Sequence, residues 1–94
     1  MDENIFRSQL VSDGYTQIEI NIIRPKPINV EHAHDHSIRG LVIDGVFIVW
    51  SDNHPDSYHP GEVFAVACGI KHAEQVGPNG ARVMVGRKWP PQKV

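Results

Sequence analysis

From Tyr15 onward the chain alternates apolar and polar residues. In YTQIEINII, Ile18, Ile20 and Ile22 fall on one side and Glu19 and Asn21 on the other, the period-two pattern of a half-buried β-strand. The next stretch, RPKPINV, carries two prolines, which suit an edge or a bend rather than a central strand. If the chain stays extended beyond it, Ile28, Val30, His32, His34 and His36 share one face. RGLVIDGVFIVW predicts two strands joined at Asp44-Gly45, a dipeptide whose glycine tolerates the positive φ of a tight hairpin turn. SDNHPDSYHPGE, with its two prolines and several Asp, Asn and Ser residues, predicts loop and turn. Further strands are expected near Ser57 to His59, Glu62 to Val66, His72 to Val76 and Ala81 to Lys88, with turns at Ala67 to Lys71 and Gly77 to Gly80. Residues 1–14 show weak periodicity and end in the turn signal SDG, so they predict a loose arm or a short first strand. No segment shows a sustained helical period. Many short strands and frequent turns predict an all-β sandwich or barrel in one domain.

Composition narrows the function classes. With 40% apolar and 21% charged residues, the chain matches an ordinary globular domain, although a short chain builds only a thin core. A formal net charge of −2 without a dense Lys/Arg stripe gives no electrostatic reason to expect nucleic acid as a partner. The longest apolar runs, LVI and VFIVW, are split by Asp44 and Gly45 and fall short of the roughly 20 residues of a membrane span. A single cysteine, Cys68, allows no internal disulfide, and the acidic MDENIFRSQL has no apolar secretion core. A reducing cytoplasm is therefore the expected compartment.

The chemistry concentrates in EHAHDH. Side chains two apart on a strand point the same way and lie roughly 6.6 Å apart, so two imidazoles there can lean toward one ion. A lone His-x-His equally fits a solvated polar entry to a strand. A metal needs a further ligand from elsewhere in the fold, and His72, which follows an apolar stretch bracketed by Gly61 and Gly69, is the candidate.

In these residues the sequence resembles the cupin family. The family's first motif places His-x-His between two glycines with a Glu after it. Here His32, His34 and Gly45 fall in register, while Lys26 stands at the opening Gly and Ile38 at the Glu. The second motif is matched by Gly61, Gly69 and His72, with Ala67 for its Pro and Val76 for its Asn. The resemblance implies a cupin-type double-stranded β-helix, a jelly-roll barrel over residues 15–90, followed by a tail at 91–94. It also implies a divalent metal ion (Fe, Mn, Zn or Ni) on His32, His34 and His72. Ile38 offers only hydrocarbon where the family carries its carboxylate, so such an ion would keep its full double charge on three neutral imidazoles and favour an anionic ligand. Two functions follow. One is a metalloenzyme, a dioxygenase-like oxygenase or a related lyase or isomerase acting on a small organic anion. The other is a non-catalytic small-molecule-binding or sensory cupin. A homodimer is expected, with the N-terminal arm as an exchanged strand.

Several residues carry two readings each. His36 shares the inward parity of His32 and His34, as a fourth ligand, a donor behind the ligands or a pocket acid–base group; Asp35 should face the other way. Glu74, two residues after His72, could supply the carboxylate that Ile38 does not, or face solvent. Tyr58, in the loop between the motifs, joins His36 and Glu74 as a candidate acid–base group. Cys68 reads as a small buried packing residue rather than a ligand, and Trp89 as a barrel cap or an interface residue.

Overall fold

Two long strands carry the architecture. The computed structural model describes residues 1–91, so the expected tail at 91–94 lies, after its first residue, outside the described residues. A helix α1 (Glu3–Ser12) precedes strands β1 (Thr16–Ile23), β2 (Ser37–Ser51), β3 (His54–Tyr58), β4 (Val63–Val66) and β5 (Ala73–Lys88). β2 and β5 pair antiparallel along their whole lengths, from Ser37 opposite Lys88 to Trp50 opposite Ala73. The other edge of β2 is filled by β4 at Ile38–Leu41 and by β3 at Phe47–Ser51. The other edge of β5 is filled by β1, which pairs with Ala81–Arg87, and then by isolated bridges from Lys26 to Val76 and from His32 to His72. The chain is the antiparallel barrel that the strand pattern predicted.

Two expected turns are bends within strands. Asp44 and Gly45 do not reverse the chain: Asp44 pairs with Arg82 and Gly45 with Ala81, with register shifts on either side. Gly45 has φ +77°, and a Cβ on it would sit 2.1 Å from the Gly80 carbonyl oxygen, so its glycine serves a bulge that curves β2 around the barrel. Gly77–Gly80 likewise has no partners on β2 between Val76 and Ala81 and bulges out of β5. The tight hairpin lies instead at Asp52 (φ 50°) and Asn53 (φ 61°), where Ser51 pairs with His54. Two successive positive φ values are what a two-residue type I′ turn needs.

The N-terminal arm is a helix packed on its own barrel, not an extended or exchanged strand. The Asp2 side chain caps it, accepting from the Asn4 and Ile5 amides at 2.8 and 3.1 Å. At the other end Gly14 (φ +84°) donates to the Val11 carbonyl and Tyr15 to the Leu10 carbonyl, the paired bonds of a Schellman motif. One turn apart, Phe6 and Leu10 are fully buried against Leu41 and Met84 on the outer barrel face. Alternate residues of the same strands, Val42, Val83 and Val85, face inward with Phe47, Val49 and Phe64. Ile18, Ile20 and Ile22 do share a face, but it is the outer one, and α1 covers only Ile18. Ile20 and Ile22 are 44% and 83% exposed. Among the described residues no helix is long and apolar enough to cross a membrane.

If α1 is held by packing rather than by helix propensity, Leu10→Ala should destabilise the fold by about 2–5 kcal/mol. Val11→Ala, at an exposed neighbour on the same helix, should stay within about 0.5 kcal/mol. Urea denaturation followed by circular dichroism measures both.

Candidate metal centre

The two bridged histidines are set by backbone hydrogen bonds before their side chains meet anything. His32 N donates to His72 O and His72 N to His32 O, both at 2.8 Å. Such a reciprocal pair holds opposite residues at a Cα spacing of about 5.5 Å with side chains on one face. The ring centroids lie 4.4 Å apart. His34, two positions on, brings its ring to 5.0 Å from His32 and 5.2 Å from His72, with its own carbonyl accepting from Gly69 N. The alternation seen in the sequence thus aims both His32 and His34 at His72.

The fourth member is Glu74. Donor atoms of His32, His34, His72 and Glu74 all lie within 4.8 Å of one another, a grouping that could hold a metal ion. The solvent-facing alternative for Glu74 gives way to its inward register beside His72, two residues apart on one face of the edge. Ile38 lines the barrel cavity with hydrocarbon. The carboxylate therefore arrives from β5, and the expected uncompensated set of three neutral imidazoles gains one negative charge.

Ring tautomers follow from geometry. A carbonyl oxygen only accepts, so His32 Nδ1, 2.8 Å from Val30 O, and His72 Nδ1, 3.1 Å from Ile70 O, each carry the proton. Their Nε2 atoms present lone pairs to the interior. His72 is fully buried, and its Nε2 has no hydrogen-bond partner. The nearest charged group is Glu74 Oε1 at 3.6 Å, another acceptor and too distant for a hydrogen bond. With the rings neutral, two acceptors facing each other, the histidine fully buried and the carboxylate partly so, fit a cation between them. The donor set passes the test for a metal.

The centre opens on a cavity of about 250 Å³ lined by Asn21, Ile23, His34, His36, Ile38, Phe47, Phe64, Glu74, Val83, Val85 and Arg87. His36 lies on this wall rather than among the four donors. Its ring is 5.0 Å from His34 and 4.6 Å from Trp89, and its Nδ1 is 2.8 Å from Asp35 Oδ1, a hydrogen bond that holds the Asp35 carboxyl below its ordinary value. Trp89 therefore packs over the cavity wall, as a cap would. Tyr58 stands apart, its ring 5.8 Å from Phe64, with burial and the nearby Asp56 and Glu62 charges raising its hydroxyl pKa. Cys68 is exposed, contrary to the buried position expected, because it sits in the turn before His72 with its amide bonded to Ser37 Oγ. Asn21 and Arg87 are cavity residues that sequence reasoning missed. Asn21 reads from polarity as solvent-facing, and Arg87 shares the parity of the inward Val83 and Val85, a period-two signal that its charge obscures.

No family model and no curated protein matches the chain. Among solved structures, a cupin-2 domain protein from Shewanella frigidimarina superposes with a TM-score of 0.67 at 17% identity, over 81% of this chain and 72% of that one. The chain adopts the cupin fold. The EutQ protein of Clostridium difficile matches this chain with a TM-score of 0.67 at 20% identity, over 76% of this chain and 54% of its own. Oxalate decarboxylase from Bacillus subtilis, described for its Mn(II) centres, matches with a TM-score of 0.64 at 18% identity, over 81% of this chain and only 22% of its own. At such identities the likeness is one of fold, and function has to be argued from the site.

Burial holds His34 below its ordinary pKa of 6.5, reinforced by His72, His32 and His36, with Glu74 opposing. Protonation is thus harder in the folded than in the unfolded chain, so the unfolded state binds more protons just below that value. Stability from this group is complete above pH 6.5 and falls as the pH drops through and below it. In chelator-treated protein the melting temperature should fall from about pH 7.5 to about pH 5.5, and His34→Asn should reduce that fall; differential scanning fluorimetry measures both.

Proposed function

We propose that this cupin domain binds one divalent metal ion on His32, His34, His72 and Glu74 and uses it to hold a small organic anion in the barrel cavity. The observation that carries the reading is the buried, unpartnered Nε2 of His72 facing a carboxylate oxygen. The spread of 4.8 Å among the donors is close to the roughly 4.2 Å that two ligands on opposite sides of an ion span at about 2.1 Å per bond. A small inward movement of side chains closes the difference. Imidazole and carboxylate donors suit iron, manganese, nickel or zinc, and His32 and His72 are already locked in the ligating tautomer by Val30 and Ile70.

Bound there, the ion would act as a Lewis acid and as an anchor for an anionic group. The chain's residues supply the remainder. Phe47, Phe64, Ile38 and Val85 give the cavity an apolar wall that excludes water from the body of the ligand, and its volume of about 250 Å³ is smaller than a drug-sized pocket. Asn21 offers the cavity a hydrogen-bond donor for orientation, and Arg87, whose guanidinium bonds Gln17 O at 3.1 Å and Glu19 Oε1 at 3.0 Å, adds a fixed positive charge to the wall. His36, steadied by Asp35 and Trp89, is placed to hold or pass a proton on the wall next to His34. This arrangement favours the dioxygenase-like or lyase and isomerase reading; retention of a ligand without conversion would instead make the chain a binding or sensory cupin. The expected homodimer would find its surface on the outer face of β1, where Ile20 and Ile22 are exposed, and the cytoplasm remains the expected compartment.

Elemental analysis tests the centre. About one ion per chain is expected in the purified protein, and loss of it in His72→Ala. Glu74→Gln should fold and bind the same metal at least about tenfold more weakly, since even partners behind the ligands contribute roughly 10–100-fold. A metal content near zero in the native chain after reconstitution refutes the reading. For the dimer, sedimentation should show a two-chain species that Ile22→Lys converts to monomer.

A further inference from the structure

We propose that Lys26 is a positioning residue that keeps Glu74 a one-oxygen ligand, so that the ion retains an additional coordination position open to the cavity. This rests on the metal reading above. A carboxylate can bind a cation through one oxygen or both, and here the two oxygens are divided. Oε1 faces His72 Nε2 at 3.6 Å, whereas Oε2 accepts from Lys26 Nζ at 3.4 Å.

Both partners are fixed by the same barrel edge. Lys26 and Val76 exchange backbone hydrogen bonds at 3.1 Å. Glu74 O accepts from Asn29 N at 3.0 Å, and Glu74 N donates to Asn29 Oδ1 at 2.8 Å. The pair is half-buried, with side chains 33% and 22% exposed, so the ammonium is held against the carboxylate rather than sampling solvent. An ordinary exposed ion pair contributes little and acts on no third group. This one shares its carboxylate with the four-donor group.

Two features of the chain then become one rearrangement. Ile38 removes the carboxylate from β2, Glu74 supplies it from β5, and Lys26 occupies its outer oxygen. Three imidazoles and one oxygen leave an octahedral ion roughly two free positions, against roughly one if both oxygens bind. Metal affinity is a poor readout, because removing Lys26 deletes a repulsive charge while also freeing the carboxylate. The number of waters on the ion is the decisive quantity.

The test uses the full chain loaded with Mn²⁺ at equal occupancy, with exchangeable waters counted by water-proton relaxation. Native protein and Lys26→Arg should show roughly two waters, and Lys26→Met roughly one. Should Lys26→Met fail to fold by circular dichroism, Lys26→Leu is read the same way. An unchanged count in the apolar variant overturns the role of Lys26 while leaving the centre intact. A native chain that takes up no Mn²⁺ overturns the role of Lys26 as stated; one that takes up none of manganese, iron, nickel or zinc, or a His72→Ala variant that binds Mn²⁺ equally well, overturns both.

Discussion

Two backbone hydrogen bonds, His32 to His72 and back, are the constraint on which the centre depends. They belong to no regular strand pair, yet they bring the His-x-His stretch against His72, the residue just before β5. Everything chemical follows from that register. His34 falls on the same face by alternation, Glu74 by its spacing from His72, and the Nδ1 protons of His32 and His72 are taken up by carbonyls two residues earlier in each segment. Backbone geometry thus orients the lone pairs, with no dedicated side chain needed behind either ring.

The rest of the barrel makes that meeting possible by bending. β2 and β5 run unbroken from one end to the other because Gly45 and the Gly77–Gly80 excursion absorb the curvature. Their middle residues are covered on both faces, inward by the Phe47 and Phe64 cluster and outward by Phe6 and Leu10 of α1. A small domain with a thin interior core gains a second, external one. The cavity lies between that inner cluster and the histidine group, with Phe47, Phe64, Val83 and Val85 on one side and His34 and Glu74 on the other.

Legibility in the sequence followed periodicity and failed at topology. The histidine face was readable because a period of two depends on nothing but extended backbone, and the same rule marked Glu74 as a candidate carboxylate. Lys26 was not readable as its partner, since their proximity arises from a bridge between distant segments. Asp44-Gly45 reads as a hairpin in the sequence but is a bulge in the structure: one glycine with positive φ serves either, and only pairing with Arg82 and Ala81 separates the two. The true hairpin at Asp52-Asn53 carries no glycine and was hidden in a polar loop. α1 escaped notice because only Phe6 and Leu10 of its ten residues are buried; its caps at Asp2 and Gly14 were the available signal.

The stretch that supplies His32 and His34 is stitched to β5 by single bridges at Lys26 and His72 and a few hydrogen bonds between and beyond them, not by a continuous ladder. Edges secured so sparsely are the parts of a protein that unzip first. A cation seated among the four donors would rivet this seam shut, so the order of the edge and the occupancy of the centre become a single equilibrium. Loading the domain would then favour the closed form of its edge.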